Sequence, residues 1–553
     1  MIVSARLGPR TAWASVAASF IIVGAGLRLF SYFSHGQLFV DDARLALNIA
    51  SRSFGELTRT LEYGQIAPIP FLWVERLMTR VGGVNEYALR AVPLFAGIAV
   101  LVLLWRVGRR AFGERPAAIA TCLAAVSTFL MSYSSAVKQY SSDALVTLVL
   151  VWLVLDVLGA ADNRAPWWRL AIGGAAAVWI SHPAVFVLAG AAFALPARAA
   201  VRAVPNWRRR YALTMLAWIG VFVVAYFLFY QTVERDASLK EFWEPTFLSP
   251  GAPDFIERAW RAARAMLAPP LVWPGGTSVL LGVLTSLAFL AGLISILRAQ
   301  GPSLALLCAG PYVAVLGAAM IGAYPPADRF LLFAAPLLFF IYASALCWGA
   351  EAFPSPARVP AVAAALVLLT LWRYPAAVEQ ALHPERRRET KTLLRAIEAR
   401  APDAPVYLLT PGVGCICSVW AFYTTDWNRP DTARLRWFAR MTSSTAESGA
   451  DAQSFEGARH PVLIGAHTHI RYERGRIARS PEPDPGWVER ESERIRRAAN
   501  PVAWLWATES FPENVIAHLL HGIRQRGGRL IFASRVLGAT AWEVEFSEGS
   551  LPK

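Results

Sequence analysis

Charged residues are scarce in this chain: only 17% of its 553 residues are charged, whereas 55% are hydrophobic. A soluble domain has nearer a quarter of its residues charged, so the composition excludes a wholly soluble protein. The apolar residues fall in blocks of about 20, the length that crosses a hydrocarbon core. From about Pro375 onward these blocks cease, which predicts a membrane part followed by a soluble part.

Cysteine is also rare, with five residues in the chain. Cys122, Cys308 and Cys347 lie in apolar blocks, where cysteine behaves as a small hydrophobic residue. Cys415 and Cys417 have one residue between them, a spacing that closes only a strained disulfide. The sequence therefore predicts no disulfide framework.

The net charge is +15, and nearly all the basic residues are arginine. Such a charge is compatible with nucleic-acid binding. However, many arginines stand in short loops between apolar blocks, where the positive-inside rule accounts for them. We therefore expect a multi-pass protein of the inner (plasma) membrane and no nucleic-acid partner. The apolar run from Thr11 to Phe33 is too long for a signal peptide, and we interpret it as an uncleaved first span.

One apolar stretch, 170–196, conflicts with a single crossing, because five arginines between 198 and 210 would then lie outside. Ser181-His182-Pro183 interrupts its middle, and proline breaks the helical hydrogen-bond ladder. A re-entrant hairpin of two half-helices, or two short spans, would return these arginines to the cytoplasm. One kinked span is the alternative. The other spans are predicted at roughly 12–32, 88–107, 116–134, 141–160, 211–230, 278–297, 303–322, 329–349 and 357–374.

This orientation places four loops and the tail on the outer side. The loops are 35–87, 134–141, 231–277 and 323–329. We expect a transmembrane domain over 1–375, with 35–87 as its first outer loop, and an extracytoplasmic α/β domain over 376–553. Strand-like runs alternate with helical patterns in that tail, and its last two strand runs have the spacing of a hairpin.

An acidic pair, Asp41-Asp42, opens a helical pattern in the first outer loop. Helix capping explains such a pair on its own. A lysine and an aspartate, Lys138 and Asp143, flank the very short second outer loop, and ionisable groups at membrane depth indicate function. A local ion pair between these two residues is the alternative. Arg329 enters a late span, where it could also extend to the lipid headgroups.

Together these residues are more informative than each one alone. The orientation was inferred from the cytoplasmic arginines, without these residues, and it still places the acidic pair, Lys138 and Arg329 on the same outer side. Sugar transfer from a polyprenyl phosphate needs such a set. The phosphate leaving group requires cations that stabilise its charge and no general acid. The acceptor hydroxyl requires a base, and a carboxylate can serve. The lipid tail requires an apolar groove between membrane spans.

The residues resemble those of the C-type superfamily of multispanning glycosyltransferases, especially the protein O-mannosyltransferase and lipid A aminoarabinose transferase branch. The resemblance covers roughly residues 10–375. It is carried by Asp41-Asp42, by Gln65 with Pro68, by the Lys138-Gln139-Tyr140-Ser141-Ser142-Asp143 turn, and by Tyr324-Pro325 with Arg329. The acidic pair here is Asp-Asp, whereas the mannosyltransferases have Asp-Glu at this place.

The resemblance implies a GT-C-like transmembrane bundle with Asp41 or Asp42 as the base. It implies Lys138 and Arg329 as donor-phosphate ligands, with Gln65, Tyr140, Asp143 and Tyr324 in support. The expected partners are a polyprenyl-phosphate-linked sugar, membrane lipid and an acceptor that is protein, lipid or glycan. A single displacement would invert the anomeric centre.

No metal or other cofactor is expected. Some superfamily members use a divalent metal, and Glu241 or Glu244 could join the acidic pair, but no convincing oxygen set exists. The pairs His467/His469 and His518/His521 lack a completing ligand and are interpreted as surface histidines. A transporter or flippase of lipid-linked saccharides is the alternative function, for which internal repeats are expected and none is found. A membrane-anchored sensor would not need so many spans.

Overall fold

The computed structural model describes most of the chain. The described residues are 9–34, 37–160, 166–230, 243–268, 279–382, 390–401, 403–410, 417–442, 454–455, 462–466, 472–473, 476–477, 485–499, 501–508, 513–536 and 539–547. They form two compact units: the first comprises Met1–His35 and Ile66–Pro384, and the second comprises Gly36–Gln65 and Glu385–Lys553. The second unit thus contains the first part of the predicted outer loop as well as the C-terminal tail.

The first unit is helical. Its helices are α1 (Pro9–Ser34), α3 (Ile69–Gly82), α4 (Glu86–Phe112), α5 (Glu114–Ala125), α6 (Thr128–Tyr133), α7 (Tyr140–Leu158), α8 (Trp167–Ile180), α9 (Ala184–Ala197), α10 (Ala199–Arg202), α11 (Trp207–Ala225), α12 (Phe255–Leu267), α13 (Val279–Ala299), α14 (Pro302–Met320), α15 (Ala335–Ala350) and α16 (Ser355–Leu382). Short 3₁₀ turns lie at Glu56–Thr58 of the second unit and at Glu244–Thr246 and Asp328–Ala334 of the first.

Eight of the described helices are long and apolar enough to cross a membrane. They are Ala12–Ser34, Glu86–Phe112, Tyr140–Leu158, Trp207–Leu228, Val279–Ala299, Pro302–Met320, Arg329–Ala350 and Ser355–Leu382. Each coincides with a predicted span, because a run of about 20 apolar residues has few stable places outside a bilayer. The chain is therefore a multi-pass membrane protein.

The predicted span 116–134 is not one continuous helix. It consists of α5 and α6, which are separated at Val126 and Ser127. The end of α5 leaves carbonyls without a partner in the helix. The fully buried Arg28 of α1 donates to the carbonyl oxygens of Ala124 (3.1 Å) and Ala125 (3.3 Å) and so satisfies them.

The stretch 170–196 folds back on itself. Within α11, Tyr211 donates its hydroxyl hydrogen to Ala192 O (3.0 Å), and Trp218 donates from Nε1 to Leu170 O (3.3 Å). The two donors are about 10 Å apart along α11, whereas a continuous helix would separate the two acceptors by about 33 Å. The chain therefore turns at Ser181–Pro183, as a hairpin of α8 and α9. A single kinked span is wrong.

The second unit combines α2 (Val40–Ser51) with an α/β layer. Its other helices are α17 (Thr390–Arg400), α18 (Cys417–Thr424), α19 (Thr432–Thr442), α20 (Pro485–Ala498) and α21 (Glu513–Gln525). Its strands are β1 (Val406–Thr410), β2 (Ser454–Phe455), β3 (Val462–Ala466), β4 (Tyr472–Glu473), β5 (Arg476–Ile477), β6 (Val502–Thr508), β7 (Gly528–Val536) and β8 (Ala539–Phe546).

Six of these strands form one sheet in the order β2-β3-β1-β6-β8-β7, and β4 pairs with β5 separately. Strand β1 is parallel to both neighbours, with Val406 opposite Val462 and Trp504. Strands β7 and β8 are antiparallel, which confirms the predicted hairpin. Helices α20 and α21 cover one face, where Ile495 and Leu519 are buried against the sheet. The predicted fold class, a helical membrane bundle followed by an α/β domain, is confirmed.

Candidate functional site

The beginning of α7 places several predicted site residues in a buried turn. Lys138 and Tyr140 are buried beside the start of the helix, and Asp143 lies in its first turn. The backbone N–H of Asp143 donates to Gln139 O (2.9 Å), so the turn is helical from Gln139 onward. The carboxylate of Asp143 approaches the Ser181 hydroxyl at the tip of the α8–α9 hairpin. The sequence-based alternative, a local pair with Lys138, is not seen in this described turn.

The segment that follows α14 meets the same region. Tyr324 donates its hydroxyl hydrogen to Phe330 O (2.8 Å), which closes the loop before α15. The Phe330 ring lies edge-on to Tyr140 (6.2 Å between centroids) and to Tyr324 (5.9 Å). One aromatic cluster therefore joins the turn at α7 to the segment that carries Arg329. The two loops thus come together at these rings, and a shared role of Lys138 and Arg329 in phosphate binding stays a prediction.

Arg329 is held by aromatic rings. Its guanidinium carbon is 5.8 Å from the centroid of Trp243 and 5.5 Å from that of Phe330. Trp243 itself packs on Phe330 at 4.9 Å. A guanidinium that lies over aromatic rings has a planar edge of N–H donors whose geometry suits bidentate binding of an oxyanion. The sequence analysis did not identify Trp243. Its place beside Glu244 in a predicted outer loop was the signal that could have indicated it.

The hairpin tip completes the surroundings of this cluster. Phe186, one turn into α9, packs against Tyr324 (4.7 Å between centroids) and against Phe333 (5.9 Å). Ser181 at the tip faces Asp143. The α8–α9 hairpin thus contacts both the turn at α7 and the segment before α15. It brings a third part of the chain to Asp143 and Tyr324, two of the predicted supporting residues.

The acidic pair lies in the second unit, in the first turn of α2. Asp42 is buried and Asp41 is partly exposed. The residue before the helix, Phe39, provides no side-chain cap, and the two acids stand in the first turn, where the helix dipole favours negative charge. Capping and a chemical role are therefore compatible for this pair.

The start of α2 is anchored by the C-terminal part of the chain. The Leu38 amide donates to the Tyr423 hydroxyl oxygen (2.6 Å), and the Lys391 amide donates to Gln37 Oε1 (3.0 Å). Ser418 donates its hydroxyl hydrogen to Val40 O (3.5 Å). Residues almost 400 positions away thus support the backbone that presents the acidic pair.

Gln65 lies at the end of a strained turn in the second unit. Its Nε2 donates to Tyr63 O (3.2 Å). Tyr63 has a φ of 63°, a left-handed conformation that costs a bulky residue about 1–3 kcal/mol. The Tyr63 side chain is buried, and its hydroxyl donates to Leu435 O (3.2 Å), which holds the strained backbone.

The predicted site residues are therefore distributed over both units. The first unit brings Tyr140, Tyr324 and Arg329 to one aromatic cluster, and the second unit carries the acids on α2. In the first unit lie Lys138, Tyr140, Asp143, Tyr324 and Arg329, and in the second lie Asp41, Asp42 and Gln65. That the acidic pair and the cations act on one substrate stays a prediction.

Residues considered for a metal are engaged elsewhere or lie outside the described part. Glu244 accepts from Arg258 (2.9 Å), while Glu241, His467 and His469 fall outside the described residues. On α21, His518 donates from Nδ1 to Asn514 O (2.7 Å), and Gln525 donates to His521 Nε2 (2.9 Å). Among the described residues no group of three or more His, Cys, Asp or Glu side chains is placed to hold a metal. Metal dependence stays untested.

The chain has the fold of C-type membrane glycosyltransferases. The family described as dolichyl-phosphate-mannose-protein mannosyltransferase matches residues 67–231, which include the turn at α7. ArnT from Cupriavidus metallidurans bound to undecaprenyl phosphate has 14% identity and a TM-score of 0.53, over 98% of this chain and 99% of that one.

A second solved structure has the same architecture. The oligosaccharyltransferase of Archaeoglobus fulgidus in the apo form has 12% identity and a TM-score of 0.51, over 98% of this chain and 75% of that one. No curated protein matches the chain in sequence. At these identities the structural likeness concerns the fold alone. Together with the family match it confirms the resemblance to GT-C membrane glycosyltransferases of the mannosyltransferase and ArnT-like branch.

Proposed function

We propose that this protein transfers a sugar from a polyprenyl-phosphate donor to an acceptor on the extracytoplasmic side of the inner membrane. The observation that supports this most is the meeting of the Lys138 turn with the Arg329 segment around one aromatic cluster. The fold is shared with ArnT, whose structure was solved with undecaprenyl phosphate. A lysine and a stacked arginine suit the phosphate of such a lipid.

The proposed reaction is a single displacement at the anomeric carbon. The acceptor oxygen forms a bond to that carbon while its proton passes to Asp41 or Asp42. The bond from the anomeric carbon to the phosphate oxygen breaks, and its electron pair remains on the phosphate. Lys138 and Arg329 stabilise the charge that develops there, and no general acid is needed because phosphate is a good leaving group. One displacement inverts the anomeric centre.

The proposed orientation in the membrane is supported by the end of the first unit that lies opposite the start of α7. There arginines stack on tryptophans: Arg110 on Trp152 (5.2 Å) and Arg298 on Trp348 (5.1 Å) are two such pairs. Arginine-rich loops are typical of a cytoplasmic membrane face, whereas tryptophan is enriched at both faces. The opposite end, where α7 begins, is therefore proposed to be extracytoplasmic. Alkaline phosphatase fused after Lys553 should be active in bacterial cells, and an inactive fusion there would contradict this orientation.

A transfer assay tests the chemistry. Membranes carrying each variant receive radiolabelled undecaprenyl-phosphate sugars, and product and its anomeric configuration are measured. We expect Asp41→Asn or Asp42→Asn to lower turnover by about 10²–10⁴-fold, the usual contribution of a general base. Normal turnover in both carboxamide variants would exclude the proposed base. Movement of intact donor across the membrane without product would instead support the transporter alternative.

The phosphate-binding residues have a matched control. Arg329→Lys removes the planar, bidentate edge of an arginine that stacks on Trp243 (5.8 Å). Arg298→Lys makes the same change in an arginine that stacks on Trp348 (5.1 Å) at the other end of the first unit. We expect the first variant to raise the apparent KM for the donor and the second to leave it unchanged. Equal effects would refute a role for Arg329 in phosphate binding.

A further inference from the structure

Three buried polar side chains beside the Lys138 turn have atoms without a hydrogen-bond partner among the described residues. They are Gln139, 8% exposed, Asp143, 2% exposed, and Ser181, 1% exposed. The unpartnered atoms are Gln139 Oε1, Asp143 Oδ1 and Ser181 Oγ. Such atoms are rare in folded proteins, since each one that is buried without a partner costs about 1–3 kcal/mol.

The three side chains lie close together. Gln139 and Asp143 are four residues apart in a helical turn, so their side chains project from the same face of α7. The Ser181 hydroxyl, at the tip of the α8–α9 hairpin, approaches the Asp143 carboxylate. Two separate parts of the chain thus place three unpartnered polar groups in one buried region. Their convergence distinguishes this region from an isolated unsatisfied atom.

The chemistry of these groups selects the kind of ligand. An amide oxygen and a carboxylate oxygen accept hydrogen bonds, and a serine hydroxyl both donates and accepts. Two acceptors repel a phosphate, so the anionic part of a donor is excluded from this region. A hard divalent cation usually takes six or more oxygen ligands with several carboxylates, and only one is present. Neutral vicinal hydroxyl groups, which donate and accept, satisfy all three atoms.

The region is next to the proposed phosphate site. Gln139 follows Lys138 in sequence, and Tyr140 of the same turn packs on Phe330. On the hairpin, Phe186 lies one turn from the tip and packs on Tyr324. A sugar joined to a phosphate held by Lys138 and Arg329 would be adjacent to these three groups.

We propose that Gln139, Asp143 and Ser181 form the subsite that binds the hydroxyl groups of the donor sugar. This inference rests on the proposed function, because it requires a polyprenyl-phosphate sugar as the donor. Ser181 is the residue that it adds, and it gives the α8–α9 hairpin a role in the choice of sugar.

The test compares lipids with and without a sugar. Purified wild-type protein and the Ser181→Ala variant are titrated with undecaprenyl phosphate, and with undecaprenyl-phosphate-linked mannose, glucose and 4-amino-4-deoxyarabinose. Thermal stabilisation gives the Kd for each lipid. We expect the variant to bind at least one of the glycosides about 3- to 10-fold more weakly, the usual effect of one hydrogen bond. Its Kd for undecaprenyl phosphate should equal that of the wild type.

Ser344 offers a matched control. It is 4% exposed in α15, and its Oγ also has no partner within the described structure. Without ligand, Ser181→Ala and Ser344→Ala should both be as stable as the wild type or slightly more stable, because each removes a buried unpaired hydroxyl. Only Ser181→Ala should change the Kd of a glycoside.

The outcomes separate the two proposals. If Ser181→Ala weakened the binding of undecaprenyl phosphate and of its glycosides equally, the sugar subsite would be overturned. Unchanged binding of every glycoside by this variant would overturn it too. Either result would leave the proposed function intact. The second of these results would indicate that water satisfies the three groups. If the wild type bound neither undecaprenyl phosphate nor any of the three glycosides, the proposed function itself would fail.

Discussion

Replacing Arg28 tests the explanation of the break between α5 and α6. Arg28 is fully buried in α1 and donates to three carbonyl oxygens, those of Gly24 (2.9 Å), Ala124 (3.1 Å) and Ala125 (3.3 Å). The last two belong to the end of α5, and methionine would fill a similar volume without any donor. We expect Arg28→Met to leave the Ala125 carbonyl without this partner, whereas Ala124 O still accepts from the Ser127 amide (3.4 Å).

The expected magnitude follows mainly from the Ala125 carbonyl. Each buried carbonyl that loses its partner costs about 1–3 kcal/mol. Removing the guanidinium also relieves the cost of burying a charge, which offsets part of this loss. The net effect should be about 1–3 kcal/mol of lost stability, smaller for Arg28→Lys because an ammonium can still donate to one carbonyl.

Equilibrium unfolding in mixed detergent micelles measures this change. The control is Arg358→Met, because exposed Arg358 also donates to main-chain oxygens, those of Phe353 (3.1 Å) and Glu351 (3.3 Å). Water replaces an exposed donor, so the control should change stability by less than about 0.5 kcal/mol. If Arg28→Met were as stable as the wild type, the break would not depend on Arg28.

Two further substitutions test packing and charge. A Cβ at Gly310 would lie 2.4 Å from the Cα of Gly190, so Gly310→Ala should separate α9 from α14 and cost about 1–3 kcal/mol by thermal unfolding. Gly317→Ala on the same helix meets nothing within 4 Å and should be neutral or slightly stabilising, and a matching loss there would refute the packing argument. In α20, hydrogen bonds led by that from Arg496 lower the pKa of Glu493 to about 2. Because the folded pKa is lowered, this stabilisation is complete above the unfolded pKa of about 4.3 and is lost as the pH falls towards 2. Glu493→Gln should therefore lower the melting temperature at pH 6 and have a smaller effect at pH 3, and an effect independent of pH would contradict the assignment.

The long spans and the C-terminal strands could be predicted because their signals are local. A block of about 20 apolar residues indicates a crossing wherever it occurs. The hairpin was also accessible, since Pro183 marked the break and the five arginines after residue 196 required the chain to return. Each inference used residues that are close together in sequence.

Features that depend on distant contacts could not be predicted. Between Ala125 and Thr128 the only local signal of a helix break is Ser127, the N-cap of α6, and the donor to the end of α5, Arg28, lies 97 residues from Ala125. The stacking of Trp243 on Arg329 and the approach of Ser181 to Asp143 likewise join separate parts of the chain. The grouping of residues 36–65 with the C-terminal tail divides a loop that sequence analysis assigned entirely to the membrane domain.

That grouping has a consequence for biosynthesis. The Tyr63 hydroxyl bonds to the carbonyl of Leu435, 372 residues later in the chain. At a ribosomal rate of about 5–20 residues per second, the segment bearing the two acids waits roughly 20 to 75 s after its synthesis before that partner emerges. Early termination between the end of α16 at Leu382 and the start of α19 at Thr432 should therefore yield inserted but inactive protein, even though every predicted membrane span has already been made.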